Sequence, residues 1–176
     1  MRRQYSGNAH GVMKGLGVVT CVSVNAVLDK LWPLDYCIYD PVGDGKSKLD
    51  HVRDLLSHPL YQKQLPFQAV LMDTGYATRD LLLFIESWQK VYDCPLKPHR
   101  QVDDSGGQQS YRRMDRLTWS ELKQQQGKQL KIRGFPKDYK VQGFRVAVST
   151  HRPDFVVTND WTSTSTGATQ QACGFR

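Results

Sequence analysis

The sequence predicts an α/β fold, a mixed sheet with helices packed on its faces. Three observations predict it. A β-branched run, Gly17-Val18-Val19-Thr20-Cys21-Val22-Ser23-Val24, has the texture of a largely buried strand. Two stretches, near residues 48–56 and 77–88, repeat apolar residues at helical spacing. Compact apolar runs alternate with those stretches, so the order strand, strand, helix, strand, helix, strand emerges.

Each element has a local reason. The first strand is bounded by Gly17 and Asn25, and Leu34 to Tyr39 follows across a Trp32-Pro33 turn signal. The short gap between the two predicts an antiparallel hairpin, ended by the loop Pro41-Val42-Gly43-Asp44-Gly45. Ser47 with Asp50 three positions on resembles a capping box, and Leu49, Val52, Leu55 and Leu56 recur at helical spacing behind it. Phe67-Gln68-Ala69-Val70-Leu71-Met72 is a strand-like run that stops at Asp73-Thr74-Gly75. A second helix over Ala77 to Trp88 is apolar at Leu81, Leu82, Phe84, Ile85 and Trp88, and Tyr92 to Leu96 makes a short strand.

Beyond His99 the texture changes. Asp103 to Ser110 has loop composition, and Thr118 to Gln129 suits a short polar helix. Leu130 to Ile132 and Gly143 to Ser149 alternate like hairpin strands around a Gly134-Phe135-Pro136-Lys137-Asp138 turn. Phe155 to Thr158 is one more strand, and the polar stretch Thr162 to Gln171 is expected to lead into a helix near Arg176.

Composition limits the function. The 176 residues are 39% hydrophobic, enough for a packed core and too much for a disordered chain. The longest apolar run, Leu81 to Ile85, is far short of a membrane span, and no apolar leader follows Met1-Arg2-Arg3, so a soluble, cytoplasmic protein is expected. Cys21, Cys37, Cys94 and Cys173 form no C-x-x-C pair and read as free thiols in a reducing compartment. Charge is the sharper signal. Residues 90–152 hold 14 lysines and arginines against 6 acids, net +8, while the remainder holds 10 bases and 11 acids, net −1. Such polarity is expected where one face meets a polyanion, and nucleic acid is the favoured partner.

Few motifs carry chemistry. Gly43-Asp44-Gly45-Lys46-Ser47 is not a phosphate loop, because Asp40 stands where that motif needs its first glycine. His10, His51, His58, His99 and His151 show no metal-ligand spacing, and no G-x-S-x-G elbow exists. Asp73 differs. It ends a strand-like run and precedes a helix, the place where α/β folds assemble ligand and metal sites, although an aspartate there also serves as a helix cap.

Several segments together resemble the interior of DDE transposases from bacterial insertion sequences, the branch with a Tyr-Arg-Glu-Lys signature. They are Tyr5-Ser6-Gly7-Asn8-Ala9-His10-Gly11, Lys14 to Thr20, Tyr39-Asp40-Pro41 with Gly43 to Val52, Val70-Leu71-Met72-Asp73-Thr74, Cys94-Pro95-Leu96-Lys97, Gly134 to Asp138 and Val156-Val157-Thr158-Asn159-Asp160. The resemblance spans Arg2 to Arg176 and implies a ribonuclease H-like core, with a partial core over 1–97, a basic β-rich insertion over 98–153 and a return to the core over 154–176. It implies two divalent ions, Mg2+ or Mn2+, held by Asp, Asp and Glu for DNA strand cleavage and transfer. Asp73 matches the second aspartate, as catalytic residue and metal ligand.

Arg176 matches the signature arginine, with Cys173 where tyrosine would stand, and Gly75 departs from the bulky aromatic usual beside the aspartate. The first aspartate falls upstream of Arg2 and the glutamate beyond Arg176, so the resemblance implies a chain shortened at both ends, without its first strand and last catalytic helix and inactive alone. It implies DNA (transposon ends and target) as partner, nucleoid association when bound, and a homo-oligomer for the intact enzyme. The candidate DNA contacts are Lys131, Arg133, Lys137, Lys140, Arg112 and Arg113. The alternative is a non-catalytic nucleic-acid-binding remnant, and a third reading is a metal nuclease pairing Asp73 with Asp40 or Asp160.

Overall fold

Two strands open the chain, β1 (Arg2–Ser6) and β2 (Gly11–Gly15), paired antiparallel from Arg2↔Gly15 to Ser6↔Gly11. They belong to a computed structural model that describes residues 2–6, 11–25, 27–149 and 152–164. The described residues fall into two units, 1–66 and 67–176.

The first unit continues with β3 (Gly17–Asn25) and β4 (Lys30–Tyr39), an antiparallel hairpin running from Gly17↔Tyr39 to Asn25↔Lys30. The hairpin is as the pattern predicts, but its reversal is not at Trp32-Pro33. Asn25 makes the turn, its Oδ1 accepting the N–H groups of Val27 and Leu28 at 3.0 Å each. Pro33 sits inside β4, where the register shifts between Cys21, which faces Asp35, and Val22, which faces Pro33. A bulge frees a residue from the ladder, so a strand can hold a proline there without losing a needed donor.

Helix α1 (Lys48–Ser57) begins with the capping box read from Ser47 and Asp50. The Ser47 hydroxyl accepts from the Asp50 N–H, and the Asp50 carboxylate accepts from the Ser47 N–H at 2.9 Å. The helix packs on the hairpin, burying His51 and Leu55 together with Val19 of β3. Alternation leaves Val18, Val22, Tyr36 and Ile38 exposed on the strands.

The second unit is a mixed sheet with few helices. Its elements are β5 (Ala69–Leu71), α2 (Arg79–Ser87), β6 (Val91–Leu96), β7 (Gln101–Asp103), β8 (Arg112–Arg113), α3 (Glu121–Gln126), β9 (Lys128–Ile132), β10 (Val141–Ser149) and β11 (Arg152–Thr158). Seven strands line up as β5-β6-β11-β10-β9-β7-β8. Among the described residues only β5 and β6 run parallel, joined through α2 as a parallel pair requires, and every other pairing in this sheet is antiparallel. The protein is therefore α/β, but the sheet is not the one the first six elements implied. The β3–β4 hairpin is a sheet of its own, because among the described residues those two strands pair only with each other.

The core of this unit is built from α2 and the central strands. Helix α2 buries Leu81, Leu82 and Ile85, β6 buries Tyr92, Cys94 and Leu96, and Phe144, Val146 and Val156 form a cluster across β10 and β11. Asn159 ties the end of β11 to the start of β6. Its Oδ1 accepts from the Tyr92 N–H at 2.9 Å and its Nδ2 donates to the Lys90 carbonyl at 3.0 Å. The helix expected near the C-terminus, with Cys173 and Arg176, lies outside the described residues.

Candidate functional site

Asp73 follows β5 by two residues, at the carboxyl end of the parallel pair β5–β6. Strand β6 reaches it from one side: Met72 N–H donates to the Asp93 carbonyl at 3.3 Å, and Cys94 Sγ lies 3.8 Å from the Asp73 carbonyl oxygen. The side chain is exposed and caps the 3-10 turn Thr74–Tyr76. Its Oδ1 accepts from Thr74 N–H at 2.6 Å and from the Thr74 hydroxyl at 3.0 Å. Oδ2 has no hydrogen bond among the described residues.

A second carboxylate lies on the next strand, and nothing in the sequence reading singled it out. Asp93 on β6 pairs with Leu71 on one side and Thr158 on the other, and is 1% exposed. Neither oxygen makes a well-aligned hydrogen bond. Burial is the main cause that pushes its carboxyl up to about 6. The nearby Thr158 hydroxyl opposes that and the Asp160 charge adds to it. The available signal was an acid at the centre of the apolar run Val91-Tyr92-Asp93-Cys94. Burial, with the charges of Asp73 and Asp93 behind it, also pushes the Cys94 thiol up, so Cys94 is an inert core thiol.

Asp160 and Asp40, the other acids weighed as partners of Asp73, are engaged locally. Asp160 accepts from Thr162 N–H at 2.9 Å and from the Thr162 and Ser163 hydroxyls at 2.7 and 2.8 Å, chiefly the Thr162 side chain holding its carboxyl low. Asp40 caps its own turn, its carbonyl accepting from Gly43 and Asp44 N–H. Among the described residues no three His, Cys, Asp or Glu side chains are grouped to hold a metal ion. Asp73 suits a hard cation as one oxygen donor, but Mg2+ needs near-octahedral coordination that one carboxylate does not complete.

In the first unit a cleft of about 450 Å³ is lined by Asp35, Cys37, His51, Asp54, His58 and Tyr61 among others. Its charged groups already have partners. His58 Nδ1 lies 2.6 Å from Asp35 Oδ2, a bond that chiefly holds the Asp35 carboxyl low. His51 Nε2 sits 3.0 Å from Asp44 Oδ2 at ion-pair distance without hydrogen-bond alignment. Lys46 Nζ meets Asp54 at 2.7 Å, so the Gly-Lys-Ser stretch is occupied in a turn and a helix cap. Cys21, Cys37 and Cys94 are free thiols.

The six candidate DNA contacts do not form one set. Arg112 donates to Asp104 at 2.9 Å and Arg113 to Asp115 at 2.5 Å, so both guanidinium groups are matched by carboxylates. Lys131 and Lys140 instead line a cleft of about 210 Å³ beside β9, together with Lys123 and Lys128, which the sequence reading left out. Arg133 and Lys137 are exposed in the turn between β9 and β10, apart from that cleft. Compared with known proteins, the chain matches no family model, no curated protein and no solved structure.

Proposed function

We propose that the chain is part of a DNA-transposing enzyme of the DDE class, with Asp73 as one carboxylate of its metal site. The observation that carries the reading is the place of Asp73. It stands at the carboxyl end of a parallel strand pair, exposed, with one carboxylate oxygen left over after capping. The mixed sheet supports a ribonuclease H-like core in which β5 and β6 are the parallel part, β7 to β10 belong to an insertion that extends it, and β11 returns to the core beside β6.

A pair of Mg2+ or Mn2+ ions, when bound, would supply activation of the attacking oxygen and charge stabilisation on the leaving one. Asp73 would be one of their ligands. On this reading the other two carboxylates come from segments that flank these 176 residues, and the enzyme needs them for cleavage.

The test is to read the coding frame on both sides and express the chain with those segments, then follow nicking of supercoiled DNA in Mg2+. Asp73→Asn should slow nicking about a thousandfold, as loss of ~4 kcal/mol of metal assistance implies. Nicking that is unchanged in Asp73→Asn, or a frame without the two carboxylates, refutes the reading. One observation favours the second reading, a non-catalytic nucleic-acid-binding protein: the β9 lysines face a cleft whose carboxylates are fewer than its ammonium groups.

A further inference from the structure

The basic segment is the one strongly charged feature of the sequence, and the structure sorts its cations by what they touch. Asp104 engages two of them, Lys128 at 2.5 Å and Arg112 at 2.9 Å, and Asp115 engages Arg113. Lys128 also lies over the Trp119 ring, 5.5 Å from its centroid, so it is fixed in place. Lys123, Lys131 and Lys140 form no ion pair within 4 Å among the described residues.

Those three converge for reasons of local structure. Leu130 and Ile132 of β9 point into the core, so alternation turns Gln129 and Lys131 to the opposite face. Lys140 enters β10 on that same side, where its Nζ donates to Gln129 Oε1 at 3.0 Å. Lys123 comes from α3, which packs on β10. The facing wall is the loop after β7. Gly106 stands there with φ +74°, and a Cβ at that position would meet only open space. At Gly106 the wall therefore carries no side chain, and a ligand can approach the backbone closely there. Asp103 faces Lys131 across β7–β9, but its carboxylate is already held by the Ser105 N–H and hydroxyl at 2.8 and 2.5 Å. Four ammonium groups against two carboxylates leave the cleft net positive by two.

We propose that this cleft seats the sugar–phosphate backbone of a nucleic acid, with Lys123, Lys131 and Lys140 as its phosphate contacts. The inference rests on the reading above for the kind of polyanion and deepens it by naming the surface. Lysine ammonium groups on flexible stems suit an extended row of phosphates, because they act as point charges without bidentate geometry. Arg133 and Lys137 are exposed in the turn between β9 and β10 and do not line the cleft. Contacts of this kind position a duplex without reading its sequence.

The test is fluorescence anisotropy of a labelled duplex of arbitrary sequence, titrated with the full chain in EDTA over a series of NaCl concentrations. Log affinity should fall linearly with log salt, by about 0.9 per phosphate neutralised. The triple variant K123Q/K131Q/K140Q should flatten that slope by roughly 2 to 3 and weaken binding more than tenfold. K123R/K131R/K140R should restore both, which separates lost charge from lost folding. R112Q/R113Q, whose guanidinium groups are engaged by Asp104 and Asp115, should change the slope by less than about 1.

A triple variant with the wild-type slope overturns the proposal. So does an Arg112 and Arg113 pair that matters as much as the lysines, or tighter binding to phosphatidylglycerol vesicles than to duplex. The nicking assay is independent of all three: nicking can succeed while the lysine variants bind normally, and it can fail while the slope behaves as stated.

Discussion

Asp93→Asn isolates the electrostatic load that the sheet carries beside Asp73. The carboxyl is buried and held at about 6, against an ordinary 3.8. That difference corresponds to about 3 kcal/mol at 1.36 kcal/mol per tenfold. Its direction follows from proton binding. Between the two values the folded chain holds a proton that the unfolded chain has released. Raising the pH through that window therefore favours unfolding, and the loss is complete above about 6. Asparagine has nearly the same shape and no titration.

The free-energy difference between wild type and Asp93→Asn should shift by about 2 kcal/mol in favour of the variant between about pH 4 and pH 7. Differencing the two chains cancels the titrating groups that do not interact with Asp93. Urea melts followed by tryptophan fluorescence suit the measurement, since Trp88, Trp119 and Trp161 are three of the four tryptophans and lie in the same unit as Asp93. A difference that stays flat across that pH range would refute the argument, because it would mean the carboxyl is solvated or bonded in the folded state.

Other substitutions test packing and capping. Phe144→Ala should cost about 3–5 kcal/mol in a urea melt, since the ring is fully buried against Val146 and Val156. Gly127→Ala should cost more than about 1 kcal/mol, because the residue closes α3 at φ +77° and its Cβ would come within 2.7 Å of Phe144 Cε1. An unchanged midpoint would mean the β10 ring yields freely. Ser47→Ala should remove about 1 kcal/mol from α1 by breaking the capping box, read as faster amide exchange in its first turn.

What the sequence made legible was local. The Ser47 and Asp50 cap, the apolar face of α2 and the alternation of β9 each depend on a few neighbouring residues, and each formed where the spacing placed it. What it hid was pairing over distance. Trp32-Pro33 carries a turn signal, yet Asn25 won the turn by offering a side-chain oxygen to two backbone donors, and a bulge absorbed the proline. The short β8 and the partnership of β11 with β6 arise from contacts between residues far apart in the chain, which no periodicity records. Charge showed the same split. Fourteen cations in one segment were countable, but which of them face a carboxylate depends on the β7–β9 register and the loop that follows β7.

Asp73 illustrates why two readings of one residue need not compete. The capping reading asks for an oxygen that accepts backbone and hydroxyl protons, and Oδ1 does this for Thr74. The ligand reading asks for an oxygen that projects from a strand end with its orientation fixed. A carboxylate has two oxygens in one rigid plane, so using the first to cap the turn holds the second in place. The cap is then part of what would position a ligand. Thr74→Val separates the two roles: it keeps the N–H bond to Oδ1 and removes the hydroxyl bond. On the proposed function, in the chain expressed with its flanking segments, that change should lower nicking by less than the loss of Asp73 itself while leaving the urea midpoint nearly unmoved. A Thr74→Val chain as slow as Asp73→Asn would mean that the orientation of the carboxylate, rather than its charge alone, sets the rate.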